Sequence, residues 1–243
     1  MTTETANSDT HSLRHGCWSC ATQIESHFCD ACGKVQPPAP VDYFRFFALP
    51  RKLNINVKEL EREFYKLSRK LHPDMYGRTS EQERQWSLEK SARLNDAYRT
   101  LRDPIERTKY LLELEGMKLE EQSKSATDAA RTAGQEKKQV VPPELLEEVF
   151  ELNMQLEEVR MAKKSGAGNV QLALELRDHK ENFERKLVEL DRELNAVWNE
   201  WDGALDRGDA AGRQELKQRM ADLLNRRSYI GNLVRDVNEA LEG

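Results

Sequence analysis

Long apolar runs are missing from this chain. No stretch of about 18 consecutive apolar residues occurs, which excludes a transmembrane helix. Only 38% of the 243 residues are hydrophobic and 7% aromatic, while 33% are charged; ordinary globular chains carry about 25% charge. So much charge disfavours a bulky two-layer α/β enzyme and suits narrow helical bundles, which bury one stripe per helix and wet the rest. Motifs for group transfer or hydrolysis are lacking as well. There is no Gly-rich phosphate loop, no GxSxG, no HExxH, and no cysteine outside one tight cluster, so the sequence predicts a chain that is not an enzyme. The first sixteen residues hold Glu4, Asp9 and a single arginine. They match neither a secretory signal nor a basic, acid-poor transit peptide, and predict a cytoplasmic location (the mitochondrial matrix if the source is eukaryotic).

What is present is unevenly spread. The net charge is −5. Residues 1–41 hold 2 basic and 4 acidic side chains, residues 42–116 hold 16 and 13, and residues 117–243 hold 20 and 26. A slightly basic middle between acidic ends argues against nucleic-acid binding, for which a domain pI above about 9 is the expected footprint. It leaves room for a local basic patch that meets an acidic protein.

All four cysteines form two CxxC pairs, Cys17-Trp-Ser-Cys20 and Cys29-Asp-Ala-Cys32. Each pair can turn two thiolates toward one ion, and two pairs complete a tetrahedron around zinc. Four sulfur ligands leave no open position, so the Zn2+ is expected to be structural. Unrelated reduced thiols or disulfides are the alternatives, the latter disfavoured in a cytosolic chain. His11, His15 and His27 read as solvated loop residues, because four cysteines already suffice. So short a segment depends on the metal for its folding energy.

The expected architecture is all-α: a flexible N-terminus (1–16), a zinc knuckle (17–36), a helical domain with an antiparallel hairpin (42–116), a linker or insertion (117–141) and a C-terminal three-helix bundle (142–243). Gln36-Pro-Pro-Ala-Pro40 is a stiff break. Asp42 caps a short helix through Phe47. Asn56 caps a helix over 57–71, whose Val57, Leu60, Phe64, Leu67 and Leu71 form one stripe. His72-Pro73 ends it, since proline biases the preceding residue away from helix. Ser80 and Glu83 form a capping box for a helix to Arg102, and Asp103-Pro104 opens another to 115. Residues 120–140 show little apolar periodicity. Helices are then expected at 143–163, 169–206 and 210–241, with Lys164–Gly168 as a break, and with seams suited to antiparallel packing.

Two surfaces stand out. Arg62, Lys66, Arg69 and Lys70 make the end of the second helix basic, with Arg62, Lys66 and Arg69 on the face opposite Leu67 and Leu71. A basic run is ordinarily a solvated face, and His72-Pro73-Asp74 by itself is a helix-ending turn; together they form a candidate docking surface for an acidic partner. In the helix from 143, Leu145, Val149, Leu152, Leu156 and Val159 form a core stripe. Leu146, Phe150, Met154 and Met161 gather on nearly the opposite face at about 100° per residue, rimmed by Glu147, Glu151, Glu157 and Glu158. That second stripe either binds a partner or packs against another part of the chain.

Asp42-Tyr43-Phe44, the basic helix, His72-Pro73-Asp74, Asn95-Asp96-Ala97-Tyr98 and Leu101-Arg102-Asp103-Pro104 resemble a J-domain in order and spacing. With Arg107-Thr-Lys-Tyr110-Leu-Leu112, Gly116 and an acidic helical C-terminal region, the chain resembles the HscB co-chaperones of iron–sulfur cluster assembly, in the variant with an added double-CxxC zinc segment. The resemblance implies that His72, Pro73 and Asp74, with Arg62, Lys66, Arg69 and Lys70, contact a DnaK- or HscA-class chaperone and activate its ATPase. It also implies that the C-terminal bundle holds an IscU-type scaffold through Leu146, Phe150, Glu151 and Met154; Glu147 stands where the family often has an apolar residue. No nucleic acid or membrane partner is expected, and self-association through the knuckle or the bundle is compatible with the sequence. The other readings are a general J-domain co-chaperone with a different client and a zinc-dependent nucleic-acid-binding regulator.

Overall fold

The helices of the N-terminal half start at capping side chains. A computed structural model describes residues 15–117, 119, 143–165 and 170–242. Most of the expected flexible N-terminus, the bulk of the 117–141 connection and residues 166–168 of the Lys164–Gly168 break lie outside the described residues, while Lys164 and Ser165, expected in that break, continue the preceding helix. Among the described residues the fold is helical, apart from strands β1 (His15–Gly16) and β2 (Gln23–Ile24), which pair antiparallel. No helix is long and apolar enough to cross a membrane.

Helix α1 (Tyr43–Phe46) starts where the Asp42 carboxylate accepts the Arg45 N–H at 2.9 Å. It is one residue shorter than expected, because Ala48 takes a positive φ of 54° just after Phe47. Helix α2 (Val57–Leu71) is capped by Asn56, whose side-chain oxygen accepts from Lys58 and Glu59. Leu60, Leu67 and Leu71 are buried, but Val57 is 42% exposed, so the stripe begins one turn later than its spacing suggests. Pro73 to Tyr76 wind into a 3-10 turn. Helix α3 (Glu81–Arg102) opens with both halves of the capping box formed by Ser80 and Glu83. Phe64 stacks on Tyr98 at 4.2 Å, while the Ser87 and Ser91 hydroxyls reach the Leu71 carbonyl. Early α2 therefore meets late α3, and the two run antiparallel.

Helix α4 (Pro104–Leu114) begins with the Asp103 carboxylate accepting from Ile105 and Glu106 at 2.9 Å each. The chain divides into two compact units, and the division falls inside α4. The first unit spans residues 1–51 and 55–107; the second comprises 52–54 and 108–243. The first unit thus joins the cysteine segment to α1, α2 and α3.

In the second unit Pro143–Leu145 form a 3-10 turn, followed by α5 (Leu146–Ser165), α6 (Val170–Asp206) and α7 (Ala210–Glu242). The seams foreseen from periodicity carry the core: Phe183, Leu190, Leu194, Val197 and Trp201 of α6 are buried, with Leu216, Met220, Leu223, Ile230 and Val237 of α7. Each such side chain contributes about 1.5–3 kcal/mol of burial. Gly208, at a φ of +69°, ends α6 in a left-handed turn where the Asp209 N–H returns to the Ala204 carbonyl at 2.9 Å, the capping that favours glycine. Arg227 breaks the apolar seam of α7 and bonds Asp191 at 2.6 Å, keeping its charge at the edge of the seam. Asp202 of α6 accepts the backbone N–H groups of Leu53 and Asn54 at 2.7 and 2.9 Å, and Lys52 pairs with Asp206 at 2.7 Å. Those bonds fix residues 52–54 in the second unit.

Candidate functional site

The turn after α2 is built from its backbone outward. Pro73 holds His72 extended (φ −61°, ψ 129°), which ends the helix. The Leu71 carbonyl, orphaned by that ending, accepts from the Ser87 and Ser91 hydroxyls at 2.7 Å each. The Tyr76 hydroxyl donates to the Lys70 carbonyl at 3.0 Å. His72 Nδ1 accepts the Asp74 N–H at 3.3 Å and lies 3.5 Å from the Asp74 carboxylate. Accepting at Nδ1 leaves the proton of a neutral ring on Nε2. Both side chains face solvent, Asp74 at 88% exposure. The result is a backbone-fixed, polar tip, with no enclosure in which His72 and Asp74 could shield a reaction from water.

The basic face precedes it. Arg62, Lys66, Arg69 and Lys70 are all exposed. Acids on the same helix temper the face: Arg62 lies 3.5 Å from Glu59 and Lys66 lies 3.1 Å from Glu63. Exposed pairs of this kind are worth only a few tenths of a kcal/mol, so an acidic partner can displace them. Nearer the turn, Arg69 donates to the Tyr65 carbonyl and Lys70 lies over the Phe28 ring at 5.6 Å.

The four cysteines come together. All four Sγ atoms lie within 4.8 Å of one another, with Cys17 and Cys32 at 3.7 Å and Cys20 and Cys29 at 3.5 Å. A tetrahedral ion with ligand bonds of about 2.3 Å sets sulfur–sulfur edges near 3.8 Å, so the donor set fits one. Both pairs sit on like turns: Ala21 N–H returns to the Cys17 carbonyl and Gly33 N–H to the Cys29 carbonyl. Ala21 and Gly33 therefore share a positive φ, 60° and 71°. Gly33 takes it freely, whereas Ala21 bears the strain of its Cβ. Burial raises the Cys17 thiol, but the backbone N–H groups of Ser19 and Cys20 and the Gln36 amide bring it down overall to about 6, toward the thiolate that a metal needs.

The sequence left open where this knuckle rests. The Lys34 ammonium meets the buried Glu83 carboxylate at 2.9 and 3.2 Å. Trp18 packs edge-on against Trp86, centroids 5.5 Å apart. The buried Lys90 ammonium donates to the His27 carbonyl at 3.3 Å. His27, expected in solvent, packs on Phe46 at 4.3 Å and donates Nε2–H to its carbonyl at 2.9 Å. Burial, helped by the Lys90 charge, pushes His27 down to about 4; burial also pushes Lys90 down to about 8. A signal was available: Glu83, Ser87 and Lys90, spaced like a buried stripe, share one face of α3, but their polarity hid it.

On α5 the two stripes separate as their spacing foretells. Leu145, Val149, Leu152 and Leu156 are buried. Leu146, Phe150 and Met154 are 59%, 65% and 52% exposed, and Glu147, Glu151, Glu157 and Glu158 flank them in solvent. This exposure excludes packing of the second stripe against α6 or α7.

The DnaJ domain family model matches residues 42–110, so the chain contains a J-domain. An iron-sulfur cluster co-chaperone protein HscB homolog of Arabidopsis thaliana is 33% identical over 144 residues, covering 59% of this chain and 51% of the relative. A co-chaperone protein HscB homolog of Bordetella petrii is 42% identical over 89 residues, 37% of this chain and 52% of the relative. One of Vibrio vulnificus is 29% identical over 167 residues, 69% of this chain and 86% of the relative. The chain spans about half the length of the first two. The crystal structure of human co-chaperone protein HscB matches with a TM-score of 0.59 at 22% identity, covering 92% of this chain and 96% of that one; at that identity the likeness concerns the fold.

Proposed function

We propose that this chain, a J-domain protein similar in sequence to the HscB co-chaperones, stimulates the ATPase of a DnaK-class chaperone and delivers to it an IscU-type scaffold for iron–sulfur cluster assembly. The observation that carries the reading is the backbone-fixed, exposed His72-Pro73-Asp74 turn at the end of a basic helix face, inside the J-domain. Arg62, Lys66, Arg69 and Lys70 steer an acidic chaperone surface onto the turn, and His72 and Asp74 engage it by hydrogen bonds. None of these residues needs to touch ATP. A turn that binds the hydrolysis-competent state of the chaperone more tightly than its resting state shifts the population toward hydrolysis.

Leu146, Phe150 and Met154 form the scaffold-binding face, with Glu151 on its rim. An apolar patch on a solvent-facing helix, bordered by carboxylates, has the anatomy of a partner surface. The ion of the knuckle is zinc, held by Cys17, Cys20, Cys29 and Cys32 as a closed structural site; its contribution is to hold the fold of that segment. Asp74→Asn is expected to leave helix content and metal stoichiometry unchanged while abolishing ATPase stimulation. Full stimulation by that variant would remove the turn from the mechanism.

A further inference from the structure

The knuckle holds both ends of the His72-Pro73-Asp74 turn. On the α2 side, the Phe28 ring lies beneath the Lys70 ammonium at 5.6 Å, and the Lys70 carbonyl in turn accepts the Tyr76 hydroxyl of the turn. On the α3 side, Lys34 grips Glu83, which with Ser80 forms the capping box that restarts the helix directly after the turn. Trp18 against Trp86 extends that grip by three residues along α3. Beyond the buried Leu71, the segment up to Glu83 is exposed apart from the half-buried Pro73 and Tyr76, and it is short of apolar anchors. Such segments open locally at low cost, and a body fixed to both ends reduces the conformations open to the span between.

We propose that the knuckle is a brace that positions the His72-Pro73-Asp74 turn, with Lys34, Phe28 and Trp18 as positioning residues and metal occupancy as the condition for bracing. The consequence for a chaperone rests on the functional reading above. A partner that binds only the ordered turn has its apparent affinity reduced by the fraction of molecules in which the turn is ordered. Loss of the brace therefore raises the concentration needed for half-maximal ATPase stimulation and leaves the plateau unchanged, since saturating partner re-orders the turn.

The test uses the full chain loaded with zinc, and compares wild type, Lys34→Ala, Lys34→Arg, Phe28→Ala and chelator-treated wild type. Backbone hydrogen exchange is read at Met75 and Gly77, whose N–H groups bond the His72 and Asp74 carbonyls, with Val197 of α6 as the reference. Exchange at Met75 and Gly77 is expected to quicken about threefold in Lys34→Ala and in Phe28→Ala, and more on chelation, in step with the half-maximal concentration. Lys34→Arg should restore wild-type values. If one alanine variant melts, the other and the chelated protein still decide. Unchanged exchange at Met75 and Gly77 after chelation, with Trp18 and Trp86 fluorescence reporting that the knuckle has come away, would overturn the brace. Should wild type stimulate no chaperone, the functional reading fails while the exchange data still judge the brace.

Discussion

The turn after α2 and the outer face of α5 are both exposed, yet they are held in opposite ways. The turn is polar and short. Its shape depends on the Leu71 and Lys70 carbonyls finding hydroxyl partners, and on a neighbouring segment that bonds Glu83 and Lys90. The α5 face is apolar and sits on a continuous helix whose other side, Leu145 to Leu156, is buried. A helix face of this kind is rigid because of what lies behind it. A loop must be held from its sides. Binding at the turn should therefore be sensitive to distant residues, and binding at α5 should depend on the side chains of the face itself.

The largest separation between the two regions is expected from removing the buried cysteines. Cys17→Ser with Cys29→Ser takes away half the metal ligands, and structural zinc sites of this type supply about 10–16 kcal/mol of apparent binding energy. The knuckle should lose its metal and unfold, as measured by metal stoichiometry and tryptophan fluorescence, while α6 and α7 retain their helical signal. A coincident loss of the second unit would mean that the two regions are not independently held.

A smaller effect, confined to the other region, is expected from Phe150→Ala with Met154→Ala. Affinity for an IscU-type scaffold should fall by about 2 kcal/mol or more if these are interface anchors, with the melting temperature kept. A fall in stability with scaffold binding kept in the folded fraction would make the stripe a packing surface.

The smallest effect is a pH slope. Lys90 titrates at about 8 in the folded chain, below its ordinary 10.5, because it is buried. The unfolded chain then holds more protons between those values, so the first unit should gain stability as pH rises from 8 to 10.5. Lys90→Met should flatten that slope, read by denaturant unfolding of the first unit, and leave the second unit unaffected. An unaltered slope in the variant would assign it to another group.

The helices were legible where capping and periodicity agree. Asn56, Ser80 with Glu83, and Asp103-Pro104 mark helix starts that the structure shares, and the two stripes of α5 separate as their spacing requires. The four cysteines also meet as their paired spacing suggests. What was not legible depends on contacts between distant residues. Lys34 and Glu83 are 49 positions apart, and Asp202 lies 149 positions from Leu53. Neither pair leaves a local pattern. Burial of Glu83, Ser87 and Lys90 runs against polarity, so a periodicity search passes over them. The expectation of a solvated His27 failed for the same reason: nothing nearby in sequence announces Phe46 as its partner.

The central claim is that the turn and the α5 face serve one cycle, and steady-state ATP hydrolysis by a DnaK-class chaperone tests it most directly. This chain and an IscU-type scaffold would be added singly and together. The account predicts synergistic stimulation that is lost in His72→Gln. Absence of stimulation by the folded, zinc-loaded wild-type chain, with or without scaffold, would contradict it.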